Sequence, residues 1–184
     1  MKIIDLYCGI GGWATSFNEN KIDITGYDII DFSNEYPGKF IKCDLLEYNN
    51  FEKCNLIVAS PPCTDFSKAS FPPTWKSVVN FPPNIPLAIK LFNRAIEIIN
   101  IMKPEYWIIE NVKGAQKYIR KSDYHIGSRY LWTNIPYFYT GDFKDVYGKS
   151  NISPSKRRAI IRSKIPYSIS LSLFEYLKNK GEID

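Results

Sequence analysis

The chain has 184 residues, 45% of them apolar and 23% charged, values that suit one globular domain with a core large enough to stand without staples. No stretch approaches the roughly 18 apolar residues of a membrane span, and the start, Met1-Lys2-Ile3-Ile4-Asp5, enters a strand at once without a signal-peptide layout, so a soluble, cytoplasmic protein is expected. The net charge of +5 is uneven: residues 1 to 112 carry 10 Lys+Arg against 13 Asp+Glu and residues 113 to 184 carry 14 against 6, which puts a phosphate-seeking surface in the C-terminal part. Four cysteines without a Cys-x-x-Cys pair, and a single histidine, indicate reduced thiols, with neither a metal centre nor a disulfide framework.

In chain order, Lys2 to Tyr7 reads as a buried strand, and Cys8-Gly9-Ile10-Gly11-Gly12 as a tight turn opening a helix from Trp13 to Asn20. A second strand, Ile22 to Tyr27, ends on Asp28, about 20 residues after the glycine turn. At that spacing an acid reaches ribose hydroxyls while glycine lets the backbone approach a ligand. Lys39 to Lys42 is a short third strand leading into Asp44-Leu45, and Leu56 to Ala59 a fourth. Pro61-Pro62 stops that fourth strand, since proline gives no N–H to a ladder, and leaves Cys63 at the C-terminal edge, where open parallel sheets bind ligands.

Residues 64 to 85 show no periodicity, only two Phe-Pro-Pro steps flanking Trp75, and read as a lid loop over the thiol. From Pro86 the apolar stripe Leu87, Leu91, Ala95, Ile98 and Met102 predicts a helix packed on the sheet, a core stripe without functional duty. Tyr106 to Ile109 is a fifth strand that delivers Glu110-Asn111-Val112 to the same edge as Cys63. A carboxyl at the tip of a buried strand is pushed towards its neutral form. Beyond Gly114 the pattern predicts a helix through Arg120, a strand near Tyr130 to Thr133, a basic aromatic stretch from Tyr137 to Arg158, and a last helix over Ile169 to Lys178. The whole is an α/β fold, a doubly wound, mostly parallel sheet, in a single domain.

Three motifs in order, Asp5-Leu6-Tyr7-Cys8-Gly9-Ile10-Gly11-Gly12, then Pro61-Pro62-Cys63 with Phe66-Ser67, then Glu110-Asn111-Val112, resemble those of the 5-methylcytosine methyltransferases. The resemblance implies a Rossmann-like, S-adenosylmethionine-dependent enzyme that acts on carbon-5 of cytosine in DNA, with Cys63 as nucleophile, Glu110 as acid and Arg129, from Gly127-Ser128-Arg129-Tyr130, beside them. It implies further that Asp5, Tyr7, Gly9, Ile10, Gly11, Gly12, Asp28, Ile29, Asp44, Leu45 and Pro61 hold the cofactor, and that Ser67, Lys113, Arg157 and Arg158 meet nucleic acid. Trp75, Phe71 and Phe81 are candidates to stack on bases.

The departures are specific. Thr64 stands where the family often has glutamine, Ile165-Pro166-Tyr167-Ser168 replaces the closing Gly-Asn motif, and only residues 135 to 165 are available for target recognition. A loose sequence preference or a separate recognition subunit follows as an expectation. RNA or a free nucleotide as substrate, and an idle nucleic-acid-binding subunit, are the alternatives that the residues leave open.

Overall fold

The computed structural model describes residues 1–69, 74, 82–142 and 164–183. Its centre is a seven-stranded sheet in the order β3-β2-β1-β4-β5-β7-β6. β1 (Lys2–Leu6), β2 (Asp23–Asp28), β3 (Lys39–Lys42), β4 (Leu56–Ala59) and β5 (Tyr106–Asn111) are parallel, whereas β6 (Tyr124–Ile126) and β7 (Arg129–Thr133) form an antiparallel edge on β5. The expected doubly wound, mostly parallel fold is therefore present.

Strand order runs outward from β1 to β3 in one direction and from β4 to β5 in the other, so the topology switches between β1 and β4. The crevice at that switch is where such sheets bind ligands. Here it lies between the two turns that the sequence singles out, Cys8 to Gly12 and Ser60 to Cys63.

Both faces of the sheet are covered, as continuous apolar strands such as Leu56-Ile57-Val58-Ala59 require. On one face α1 (Ala14–Glu19) and the C-terminal helix pack Phe17, Ile169, Leu173 and Leu177 over Ile3, Val58 and Ile108. On the other, a long helix packs Phe92, Ala95 and Ile98 over Ile4, Ile57 and Ile109. Numbered in chain order, α2 is Thr64–Ala69, α3 Ile85–Met102 and α4 Tyr167–Asn179. Asn84 caps α3 through its side-chain oxygen, which accepts from Leu87 N at 3.1 Å, and Pro86 sits in the first turn.

Several local expectations need correction. Residues 64–69 are helix α2, not loop, because Thr64 and Asp65 suit a helix start once Pro61-Pro62 has turned the chain and Phe66 has a core site to fill. Residues 70–73 and 75–81, with Phe71, Trp75 and Phe81, lie outside the described residues. The segment after Gly114 makes only a 3-10 turn, Lys113–Lys117. Strand β6 carries too little periodicity in three residues to be read from sequence, and it forms because Gly127, at φ 59°, closes a tight hairpin onto β7. Among the described residues no helix is long and apolar enough to cross a membrane, and no cluster could hold a metal.

Gly12 is set by packing. A Cβ there would lie 2.4 Å from the backbone nitrogen of Ile165, two residues before the start of α4. Backbone cannot rotate aside, so Gly12→Ala is expected to destabilise the fold by roughly 1–3 kcal/mol, the usual cost of overpacking. Urea denaturation measures it, and a variant as stable as the parent would show that the α4 approach can shift.

Candidate active site

A cleft of about 510 Å³ opens at the C-terminal edge of the parallel strands. Ligand pockets for small molecules span this size. Its lining gathers residues from seven stretches of chain: Tyr7 and Gly9 after β1, Asp28 to Ile30 and Phe32 at the end of β2, Asp44 to Leu46 after β3, Ser60 to Thr64 after β4, Leu87 and Leu91 of α3, Glu110 of β5 and Arg129 of β7. Parallel strands in register bring their C-terminal ends to one edge, and that is why residues so distant in sequence meet.

Each turn is fixed by its own hydrogen bonds. Gly9, at φ 51°, donates its N–H to Asp28 Oδ2 at 2.9 Å, and Ile30 N donates to Oδ1 at 2.9 Å. Asp28 thereby ties the glycine turn to the end of β2 while still facing the cleft. Burial pushes its carboxyl above the ordinary range, against the pull of those amides. Tyr7 occupies a left-handed conformation, φ 55°, and donates its hydroxyl to the Leu91 carbonyl of α3 at 2.9 Å.

The nucleophile turn is braced on both sides. Trp13 Nε1 donates to Ser60 Oγ at 3.1 Å, and Asn111 Nδ2 donates to the Pro61 carbonyl at 2.9 Å. Ser67, one turn into α2, donates its backbone N–H to the Cys63 carbonyl at 2.9 Å. Asn111 is fully buried, so the Glu110-Asn111-Val112 motif holds the Cys63 turn as well as presenting the acid.

Glu110 and Arg129 meet through sheet geometry. Glu110 is in register with Leu131, so the two share a face, and Arg129, two residues before Leu131, returns to that same face. Arg129 Nη1 lies 3.3 Å from Glu110 Oε1, and Nη2 donates to the Lys164 carbonyl at 3.1 Å. Burial raises the Glu110 carboxyl above its ordinary range, with the guanidinium pulling the other way. The Cys63 thiol is also raised, by burial first and then by the Glu110 charge, while Arg129 and a hydrogen bond with Ser67 oppose the rise. The site thus sets a thiol and a carboxyl, both raised by burial, beside one cation that opposes both shifts.

The structure brings together Tyr7, Gly9, Asp28, Ile29, Asp44, Leu45, Pro61, Cys63, Glu110 and Arg129. Four expected cofactor residues do not line this cleft. Asp5 is fully buried within β1, its Oδ2 accepting from Tyr36 at 3.2 Å and its Oδ1 without a hydrogen-bond partner among the described residues. Alternation along a strand turns Asp5 into the sheet's covered face. Gly11 packs against Pro37 and Tyr36, Gly12 against Ile165, and Ile10 is absent from the lining. Ser67 and Lys113 adjoin each other in a separate depression with Val112, Lys117 and Tyr118, while Arg157 and Arg158 lie outside the described residues.

Sequence reasoning missed Leu87 and Leu91, which the stripe assigns to the core and which instead form a wall of the cleft, Leu87 being 41% exposed. The signal was length. Eighteen residues of helix span about 27 Å, more than the roughly 13–20 Å of strands with four to six residues, so the N-terminal turns of α3 overhang the sheet edge.

Residues 1–125 match the family model described as C-5 cytosine-specific DNA methylase. The type II methyltransferase M.FnuDI of Fusobacterium nucleatum is 29% identical over 122 residues, covering 62% of this chain and 33% of that protein, so the chain spans about a third of its relative's length. Among solved structures, a candidate DNA modification methyltransferase from an Escherichia coli prophage aligns with TM-score 0.48 at 18% identity, over 65% of this chain and 34% of that one. The Dnmt2 methyltransferase of S. pombe aligns with TM-score 0.44 at 20% identity, over 65% of this chain and 36% of that one.

Proposed function

Because the chain belongs to the C-5 cytosine-specific DNA methylase family, we propose that it transfers a methyl group from S-adenosylmethionine to carbon-5 of cytosine in DNA. The observation that carries this reading is the joint placement of Cys63, Glu110 and Arg129 on one cleft that also holds Asp28 and Asp44.

The cleft fits the cofactor in chemistry as well as size. Asp28 and Asp44 offer carboxylate oxygens to hydroxyl and amino donors, and Ile29, Leu45, Leu87 and Leu91 offer apolar walls to a flat base. Gly9 has open space where a Cβ would stand, leaving its backbone free for close approach. Bound there, S-adenosylmethionine would supply an electrophilic methyl group.

The chain's own residues do the rest. Cytosine is unreactive at carbon-5 until a nucleophile adds at carbon-6, and the Cys63 thiolate is that nucleophile. Addition forms the Sγ–carbon-6 bond and places electron density on ring nitrogen-3, which takes a proton from Glu110, whose carboxyl burial shifts towards its acid form against the pull of Arg129. Carbon-5 is then an enamine carbon able to take the methyl group. A base then takes the carbon-5 proton, the electron pair of that bond expels Cys63 as thiolate, and nitrogen-3 returns its proton to the Glu110 carboxylate, which restores the ring. Arg129 holds Glu110 in place and favours the two anionic forms as protons move.

A base within a duplex cannot present carbon-6 to a half-buried thiol, so the target is extruded or already unpaired. The Ser67 and Lys113 depression beside the cleft suits the flanking backbone.

The test is labelled methyl transfer from S-adenosylmethionine to DNA, RNA and deoxycytidine nucleotides, side by side. Label on carbon-5 of DNA cytosine is expected. Label confined to RNA or to nucleotides would replace the DNA reading, and no transfer to any of the three would leave an idle binding subunit.

A further inference from the structure

Helix α3 carries an arginine whose acceptors all lie outside the sheet. Arg94 is only 7% exposed, the one basic side chain buried among the described residues. A guanidinium stays charged in any protein, and burying it is costly unless its N–H groups find acceptors.

Arg94 Nε donates to the Leu45 carbonyl at 2.7 Å. Its Nη2 donates to the Tyr48 carbonyl at 2.8 Å and to Asn49 Oδ1 at 2.6 Å. Nη1 pairs with the largely exposed Glu97 at 2.8 Å, which leaves the charge neutralised on its solvent side. Three of the four contacts thus go to one turn, the residues that follow β3.

That turn supplies Asp44, Leu45 and Leu46 to the cleft. It is compact in itself, since Asp44 Oδ1 accepts from Leu46 N at 2.9 Å and the Asp44 carbonyl accepts from Glu47 and Tyr48 N. A compact turn attached to the short β3 strand still needs a second anchor to fix its distance from the opposite wall. The opposite wall is α3, through Leu87 and Leu91, and Arg94 stands three residues beyond Leu91 on the same helix. The Leu91 carbonyl holds the Tyr7 hydroxyl, so α3 fastens the turn after β1 and the turn after β3 together.

We propose that Arg94 is a positioning residue that sets the width of the cleft between α3 and the Asp44 to Asn49 turn, and so governs affinity for the cofactor's nucleoside part. It acts through Leu45, Tyr48 and Asn49 and touches neither Cys63 nor Glu110. The inference rests on reading this cleft as the cofactor site. Lysine is a poor replacement, because a single ammonium cannot span the acceptors that a planar fork reaches.

Calorimetric titration of the 184-residue chain with S-adenosylhomocysteine tests it, alongside steady-state kinetics. In Arg94→Met the dissociation constant is expected to rise about tenfold or more and in Asn49→Ala by about two- to threefold, in line with the loss of several hydrogen bonds to a charge against one. KM for S-adenosylmethionine should rise in parallel, while kcat at saturation and its pH profile stay within about twofold. A folded Arg94→Met chain with parental affinity, or a fall in kcat with KM unchanged, overturns the inference. If Arg94→Met does not fold, Arg94→Lys and Asn49→Ala carry the test, and parental affinity in both overturns it. A parental chain that takes up no S-adenosylhomocysteine is a different result, which overturns the cofactor reading itself and the inference with it.

Discussion

Replacing Cys63 by alanine is expected to abolish methyl transfer, by about 10⁴-fold or more, the scale on which removal of a catalytic nucleophile acts. Cofactor affinity should remain within about twofold, since the cleft's carboxylates, Asp28 and Asp44, and its apolar walls, Ile29, Leu45, Leu87 and Leu91, come from other stretches of chain than the thiol. Fold should survive because the turn is held by backbone and by its neighbours: Asn111 grips the Pro61 carbonyl, Trp13 grips Ser60, and the Cys63 carbonyl accepts from Ser67 N whatever side chain position 63 bears. Labelled transfer and titration with S-adenosylhomocysteine check the two halves separately. Retained turnover, or lost cofactor affinity, would sink the assignment. A DNA containing 5-fluorocytosine provides a positive counterpart, because fluorine cannot leave as a proton does. The parental chain should accumulate a covalent adduct at Cys63 under turnover conditions, visible as a mass increment, and the alanine variant should not.

Glu110→Gln should lower kcat by about 10²-fold or more, the usual contribution of a positioned general acid, with much less change in affinity for DNA. Glutamine keeps an oxygen for the Arg129 guanidinium, now at 3.3 Å from the carboxylate, so the ion-pair partner is not left bare. It cannot deliver a proton. Burial raises the Glu110 carboxyl, so its acid form persists to a higher pH than that of an exposed glutamate. In the parental chain kcat should therefore fall as pH rises through the Glu110 titration, and in the Gln variant that limb should vanish. The Cys63 limb runs the opposite way, rising with pH as the thiol ionises, because burial and the Glu110 charge hold the thiol above its ordinary range. Equal losses in kcat and DNA affinity, with an unchanged pH profile, would make Glu110 a structural residue.

Much of the fold and of the site is legible in the sequence. Apolar runs bounded by glycine, proline or an acid located β1, β4 and β5, because a strand buried on both faces has little freedom to be anything but continuously apolar. The order of the motifs, each following such a strand, placed Cys63, Glu110, Asp28 and Asp44 on one edge, since parallel strands share a direction. Chemistry at those positions was readable as well, a thiol after two prolines and a carboxyl at a buried strand tip being unusual enough to mark themselves.

What tertiary structure alone decided concerns side chains whose neighbours come from far along the chain. Asp5 and Asp28 are both acids on adjacent strands, yet one is sealed in the sheet against Tyr36 and the other opens on the cleft, a difference made by position along the strand relative to its covered face. Leu87 and Leu91 belong to an apolar stripe that periodicity cannot divide, and only the overhang of α3 beyond the sheet edge turns them from core into wall. Arg94 carries no local mark of its place, and only the packed chain buries it against carbonyls 45 to 49 residues away. The sequence by itself determined the strands, their shared edge and the reactive groups, because hydrophobic period and turn chemistry are local. Which of those groups share a cavity, and what holds its walls apart, is settled by contacts between segments that no local pattern encodes.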